Sequence, residues 1–150
     1  MPKPDLSRYL SAEVEITVPF FDLDPAGVAW HGRYFQYFEL ARCELLERVD
    51  YSYDAMMKSG ILWPVADTRV RYVKPLVLNQ KILVSAYLRE WEMRIVIDYR
   101  IRGEDGDVLT RAMTTQVPVD GDSLELLLGS PDFFVDNVHA RMREAGLVTE

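Results

Sequence analysis

The sequence predicts an α+β domain: one long amphipathic helix laid over an antiparallel sheet of about five strands. Three observations lead there. Residues 33–49 repeat their apolar side chains at helical spacing. From residue 65 to 119 the period changes to two, and turn residues cut that stretch into four runs. Strands joined by such short connections must be mostly antiparallel, and a helix with one broad apolar face needs a sheet to cover it. A chain of 150 residues fits a single domain, and 49% hydrophobic residues is ample for a core.

Residues 1–12 read as a loosely tied arm with two prolines and no period. Glu13–Val18 alternates polar and apolar side chains and ends at Pro19, which makes it the first strand. In the helix over 33–49, Tyr34, Phe38, Ala41, Leu45 and Val49 gather on one arc, with Phe35 and Leu46 on its flank. Gln36, Leu40, Cys43 and Glu47 lie opposite. Cys43 reads as filler there, with no basic neighbour to activate it. Asp50-Tyr51-Ser52 breaks the helix, and a short second one over 54–58 ends at Gly60. Strands follow at Val65–Lys74, Ile82–Trp91, Arg94–Arg102 and Val108–Val119. In the third of these, Ile95, Ile97, Tyr99 and Ile101 should be buried, while Arg94, Asp98, Arg100 and Arg102 face out. Gly103-Glu104-Asp105-Gly106 is a hairpin loop. The core of the domain thus spans about 13–119. Ser130 should cap a C-terminal helix over about 131–143, with Pro131 in its first position.

Charge and composition exclude several classes. The net charge is −7, which argues against a nucleic-acid binder. It is unevenly spread: residues 120–150 hold seven acids against two arginines, while 69–111 hold nine basic residues against six acidic. No apolar run reaches the length of a membrane span, and the first residues lack a signal peptide's apolar core. The single Cys43 precludes an intrachain disulfide and suits the cytoplasm. Two scattered histidines and one cysteine do not make a metal site, so no metal and no cofactor are expected.

The chemistry concentrates in Phe20–Tyr34, between the first strand and the long helix. Asp22 and Asp24 flank one apolar residue and would share a face of an extended chain. Pro25 turns the backbone, and Gly27 permits a positive φ or a close approach. The next helix begins with N–H groups that have no internal partner. A carboxylate beside such a terminus can attack a carbonyl while the N–H groups stabilise the resulting oxyanion. Spacing alone leaves open a plainer reading, a loop whose aspartates cap the helix.

Asp22-Leu23-Asp24-Pro25-Ala26-Gly27-Val28-Ala29-Trp30-His31, followed by Tyr34 and Phe38-Glu39-Leu40-Ala41-Arg42, resembles the signature of the 4-hydroxybenzoyl-CoA thioesterase-like family. Those proteins are hotdog-fold acyl-CoA thioesterases. The resemblance implies a sheet wrapped around the long helix. It also implies a homo-oligomer: a dimer with one continuous sheet, often paired into a homotetramer. The implied substrate is an acyl-CoA, whose CoA is part of the substrate and not a cofactor. Asp24 matches the catalytic carboxylate, acting as nucleophile or as general base. The backbone N–H of His31 matches the oxyanion donor, and its imidazole is placed to orient water or the carboxylate. Asp22 is expected to cap the loop. Glu39 is the reserve carboxylate, because another hotdog branch uses a helix glutamate. Gly27, Trp30 and Tyr34 are expected against the substrate, with Trp30 packed under the site. Arg94 is the first choice for the CoA phosphates, ahead of Arg71 and Lys74. Phe20 stands where the Tol-Pal-associated subgroup commonly has a tyrosine, so that hydroxyl is missing. Two other hotdog functions compete: a non-catalytic acyl-thioester-binding protein, and a dehydratase with a histidine base. Asp24 and Gly27 favour hydrolysis over the first. The remoteness of His139 from the signature disfavours the second.

Overall fold

The computed structural model describes residues 4–148. A five-stranded antiparallel sheet is built from β1 (Ser11–Thr17), β3 (Val65–Tyr72), β4 (Lys81–Glu90), β5 (Ile95–Arg102) and β6 (Val108–Gln116). Its spatial order is β1-β4-β5-β6-β3. Helix α1 (Tyr34–Arg48) lies across one face, over β1 and β4. A shorter helix, α2 (Tyr53–Ser59), precedes a two-residue strand, β2 (Ile61–Leu62), which pairs with β7 (Val119–Asp120). Helix α3 (Asp132–Glu144) closes the chain.

Periodicity explains the covered face. Ile82, Val84, Ala86 and Leu88 of β4 alternate inward, as do Ile95, Ile97, Tyr99 and Ile101 of β5, and all are essentially inaccessible. Each such aliphatic side chain stabilises the fold by about 1.5–3 kcal/mol relative to exposure. From α1, Tyr34, Phe38, Ala41 and Leu45 meet them, and the Phe38 and Tyr99 rings lie 4.9 Å apart. Phe35 is 47% exposed and does not reach the core. Tyr37 and Arg42 are buried in its stead, because the helix sinks on that side of its arc. Helix α2 has ordinary ends. The Ser52 hydroxyl accepts from Ala55 N–H at 3.3 Å, and Gly60 adopts φ 74° to end the helix.

Three expectations need correction. Asp98 and Arg100 do not face solvent: they are 4% and 8% exposed. Alternation tells which face a residue takes, not whether that face is covered. Here Asp98 is paired with Arg89 and Arg100, and Pro4–Ser7 border the groove beside Arg100. The last long strand stops at Gln116, and Val119 belongs to β7. Ser130 does not cap α3. Pro131 occupies the cap position, and the Ser130 hydroxyl donates to the Trp91 carbonyl at 2.5 Å.

Helix α3 docks through Phe134, Val138 and Met142. Phe134 stacks near Tyr51 and Trp63, with ring centroids at 4.9 and 6.0 Å, and the Trp63 indole donates to the Tyr51 hydroxyl at 2.7 Å. Arg141 fastens the helix to the end of α1 through the Arg48 carbonyl at 3.1 Å. Along the opposite border of the sheet, every residue of β3 except Val70 is exposed.

Candidate active site

The signature folds as a small closed loop. After Pro19, Phe20–Asp22 makes one 3-10 turn, so Asp22 is not in an extended segment and does not share a face with Asp24. Leu23 then pairs antiparallel with Ala29. Trp30 N–H donates to the Asp22 carbonyl and Asp24 N–H to the Val28 carbonyl, both at 2.8 Å. The tip is a four-residue turn, with Gly27 N–H donating to the Asp24 carbonyl at 2.9 Å. Proline in its second position and glycine in its fourth suit such a turn. Gly27 takes φ 82°, where a side chain would be strained, and open space lies beside its Cα. Ala29 N–H donates to the Leu76 carbonyl at 2.8 Å, which clamps the loop to the segment joining β3 and β4.

The two carboxylates have different surroundings. Asp22 is 5% exposed. Its Oδ2 accepts from the Tyr37 hydroxyl at 2.6 Å, and its Oδ1 lies 3.5 Å from Arg33 Nε. It ties the loop to α1 and caps no helix. Burial first, then that hydrogen bond, push the Tyr37 phenol far above its ordinary range. Asp24 is half-buried, and its Oδ1 accepts from Ala26 N–H at 2.8 Å. Among the described residues its other oxygen has no hydrogen-bond partner. Burial raises the Tyr34 phenol, a backbone hydrogen bond at Leu76 offsets part of the rise, and the charges of Tyr72 and Asp24 add to it. Asp24 is therefore within electrostatic reach of Tyr34, at the first turn of α1.

His31 opens a 3-10 turn, His31–Arg33, that runs straight into α1. Arg33 N–H donates to the Trp30 carbonyl at 2.8 Å, so the N–H groups of His31 and Gly32 have no acceptor inside the helix. The Tyr72 hydroxyl donates to the His31 carbonyl at 3.1 Å, and the Tyr34 and Tyr72 rings meet edge-on at 4.7 Å. Trp30 is 47% exposed, its ring centroid 5.1 Å from that of His31, and it lies against Gly32. Among the described residues the loop thus holds a carboxylate with one unpaired oxygen and an open turn at Gly27, and the helix that follows starts with N–H groups lacking an acceptor inside it.

A family model described as the thioesterase-like superfamily matches residues 18–138, from the end of β1 into α3. The chain belongs to that superfamily and is a thioester hydrolase. This thioesterase is 28% identical over 112 residues to the putative acyl-CoA thioesterase YneP of Bacillus subtilis, covering 74% of this chain and 81% of that one. It is 26% identical over 106 residues to the acyl-CoA thioester hydrolase YbgC of Escherichia coli, covering 70% and 79%. Among solved structures, a DHNA-CoA thioesterase from Staphylococcus aureus superposes with a TM-score of 0.78 at 26% identity, covering 93% of this chain and 97% of that one. The sheet curved around α1 is the hotdog fold.

The remaining candidates lie apart from the loop or are already engaged. Glu39 of α1 is bound by Arg42 and by the Tyr53 hydroxyl. Arg94, in the β4–β5 turn, is paired with Glu90 at 3.2 Å and is half exposed. Arg71 points to the face of the sheet away from α1, and Lys74 pairs with Asp107 at 3.2 Å. Cys43 is half-buried, and burial raises its thiol, as suits a filler. Among the described residues no group of His, Cys, Asp and Glu is arranged to hold a metal ion, and no helix is long and apolar enough to cross a membrane. Sequence reasoning missed Tyr37 and Arg33. The signal was available in part: Tyr37 lies one turn beyond Tyr34 on the same helix face.

Proposed function

We propose that this thioesterase hydrolyses an acyl-CoA, with Asp24 as the reacting carboxylate and the N–H of His31 as the oxyanion donor. The observation that carries this reading is the division of labour within one carboxylate. Oδ1 of Asp24 is fixed by Ala26 N–H, while the other oxygen is free for chemistry. The names of YneP, YbgC and the Staphylococcus aureus enzyme support an acyl-CoA as the substrate class.

Two routes fit this arrangement. In the first, the free oxygen of Asp24 attacks the thioester carbon. The C–S bond breaks, the CoA thiolate leaves and takes a proton from water, and hydrolysis of the acyl anhydride restores Asp24. In the second, Asp24 takes a proton from a water that attacks the same carbon, and that proton passes to the departing thiolate. In both, negative charge develops on the carbonyl oxygen, and donors fixed before reaction stabilise it without reorganising. Gly27 leaves room for the thioester. In this reading Trp30 and Tyr34 border the acyl group, and the His31 imidazole orients the water. Arg94 would meet the CoA phosphates after exchanging its Glu90 partner for them. Glu39, held by Arg42 and Tyr53, is the reserve.

The active form is a homodimer or a larger assembly. The exposed strand β3 offers a free edge of backbone donors and acceptors to a second copy. Phe20 and Phe21 beside the loop, 74% and 66% exposed, are surface that a neighbouring copy would cover.

The test is a panel of aromatic, short and long acyl-CoAs, with released thiol followed by a chromogenic reagent. Turnover of at least one ester is expected. Silence across the panel from a folded protein would overturn hydrolysis and leave the acyl-thioester-binding and dehydratase alternatives.

A further inference from the structure

The side of the sheet turned away from α1 carries charge that thioester hydrolysis does not use. Arg71 of β3 stands opposite Arg111 of β6, which stands opposite Arg100 of β5, which stands opposite Ser85 of β4. Neighbouring strands are about 4.8 Å apart, and like charges placed directly opposite destabilise a sheet. Asp98 answers Arg100 and also Arg89, the latter at 2.8 Å. Among the described residues no carboxylate pairs with Arg71 or Arg111. The Arg111 Nε and the Ser85 hydroxyl are buried there without a hydrogen-bond partner. Buried donors are normally satisfied, so two orphans in one row need an explanation.

The row opens into a groove of about 360 Å³, lined by five arginines against one acid, Asp98. A second groove of about 370 Å³ adjoins it at Arg100 and Arg111 and adds Arg102 and one acid, Asp5, with Pro4 bordering both. This density of cations runs against a net charge of −7 for the whole chain. Asp24 is not part of it. The loop packs on the helix side, where Tyr72 of β3 meets Tyr34 and the His31 carbonyl.

We infer that this arginine row is a binding site for a compact polyphosphate, a di- or triphosphate group, separate from the thioester site. Guanidinium groups bind phosphate oxygens through paired N–H donors, and Arg111 has an unused one. Three strands in register span about 10 Å, too long for one phosphate and suited to linked ones. A second copy of the same face would bring arginines against arginines, so self-association does not relieve the repulsion.

Calorimetric titration of the full-length protein with inorganic triphosphate, and in parallel with ATP, tests this. Triphosphate should bind once per chain and weaken as salt rises from low to physiological concentration. Tighter binding of ATP would identify a nucleotide as the source of the phosphates, and equal binding a free polyphosphate. Arg111→Met should weaken binding about tenfold or more, the scale of losing a charge-assisted hydrogen bond. Arg71→Gln, on the exposed edge strand, should do the same and guards against misfolding of the first variant. Lys58→Ala, at the exposed end of α2, should leave the affinity unchanged. Three results would each overturn the inference: no binding of either anion, unaltered binding in both arginine-row variants, or loss of binding in Lys58→Ala. A rise in KM for the acyl-CoA in Arg71→Gln without triphosphate binding would reassign the row to the substrate and overturn it as well.

Discussion

Asp22 and Asp24 lie two residues apart in one loop, yet their surroundings differ sharply. Asp22 is enclosed, and both its oxygens are committed, to Tyr37 and to Arg33. Asp24 spends one oxygen on its own turn and keeps the other free. A fully paired carboxylate fixes structure, because freeing it would leave buried partners unsatisfied. A half-paired one is positioned without being neutralised, which is what a nucleophile or general base requires. The pattern of partners separates two identical side chains that spacing alone treats alike.

The strongest way to break this contrast is Asp24→Asn. The substitution is nearly isosteric, and the Asn oxygen can still accept from Ala26 N–H, so the loop should stand. The amide can neither attack nor take a proton. Steady-state kinetics should give a kcat lower by roughly 10² or more with KM little changed. Glu39→Gln should be milder. Near wild-type turnover by folded Asp24→Asn together with inactive Glu39→Gln would move the chemistry to α1.

Arg94→Ala sharpens the contrast from outside the loop. A remote phosphate contact is made equally in ground and transition states, so its loss should raise KM several-fold, about 1 kcal/mol of binding, and spare kcat. An unchanged KM would make Arg94 a surface partner of Glu90 only.

Asp22→Asn should act on stability. Losing the charge facing Arg33 and weakening the Tyr37 hydrogen bond should cost about 1 kcal/mol, or roughly 2–4 °C in Tm, by thermal denaturation. A fall in kcat as large as that of Asp24→Asn, without loss of Tm, would dissolve the distinction between the two residues.

The smallest effect is alkaline. Folded Tyr37 holds its proton above the ordinary value of 10.0, while in the unfolded chain the phenol ionises near it. The unfolded state therefore binds fewer protons as pH rises past that point, and stability falls. Tyr37→Phe should lose its hydrogen bond at neutral pH and show a shallower decline above about pH 10. Identical slopes in denaturant titrations would show that Tyr37 plays no part in the linkage.

Much of the frame was legible because it rests on local periodicity. The inward residues of β4 and β5, the arc of α1 and the glycine stop of α2 all follow from side-chain spacing. The Asp24 turn was legible too, since Pro25 and Gly27 declare it. What escaped depends on partners distant in sequence. Asp22 is held by Tyr37, fifteen residues on, across a loop whose closure no period encodes. Asp98 and Arg100 read as exposed because alternation cannot tell a solvated second face from one crowded by long paired side chains. Strand order escaped for the same reason: β3 joins β6, not the strand that follows it in the chain.

Position 32 gives the loop a mechanical adjustment. A methyl group on Gly32 would occupy space that the Trp30 indole already fills, so Gly32→Ala acts as a wedge that tilts the ring. It adds no charge and no exchangeable proton, and leaves the hydrogen bonds of Asp24 alone. A side chain at this one site would therefore shift the exposed Trp30 ring while the backbone pairing that closes the loop stays in place.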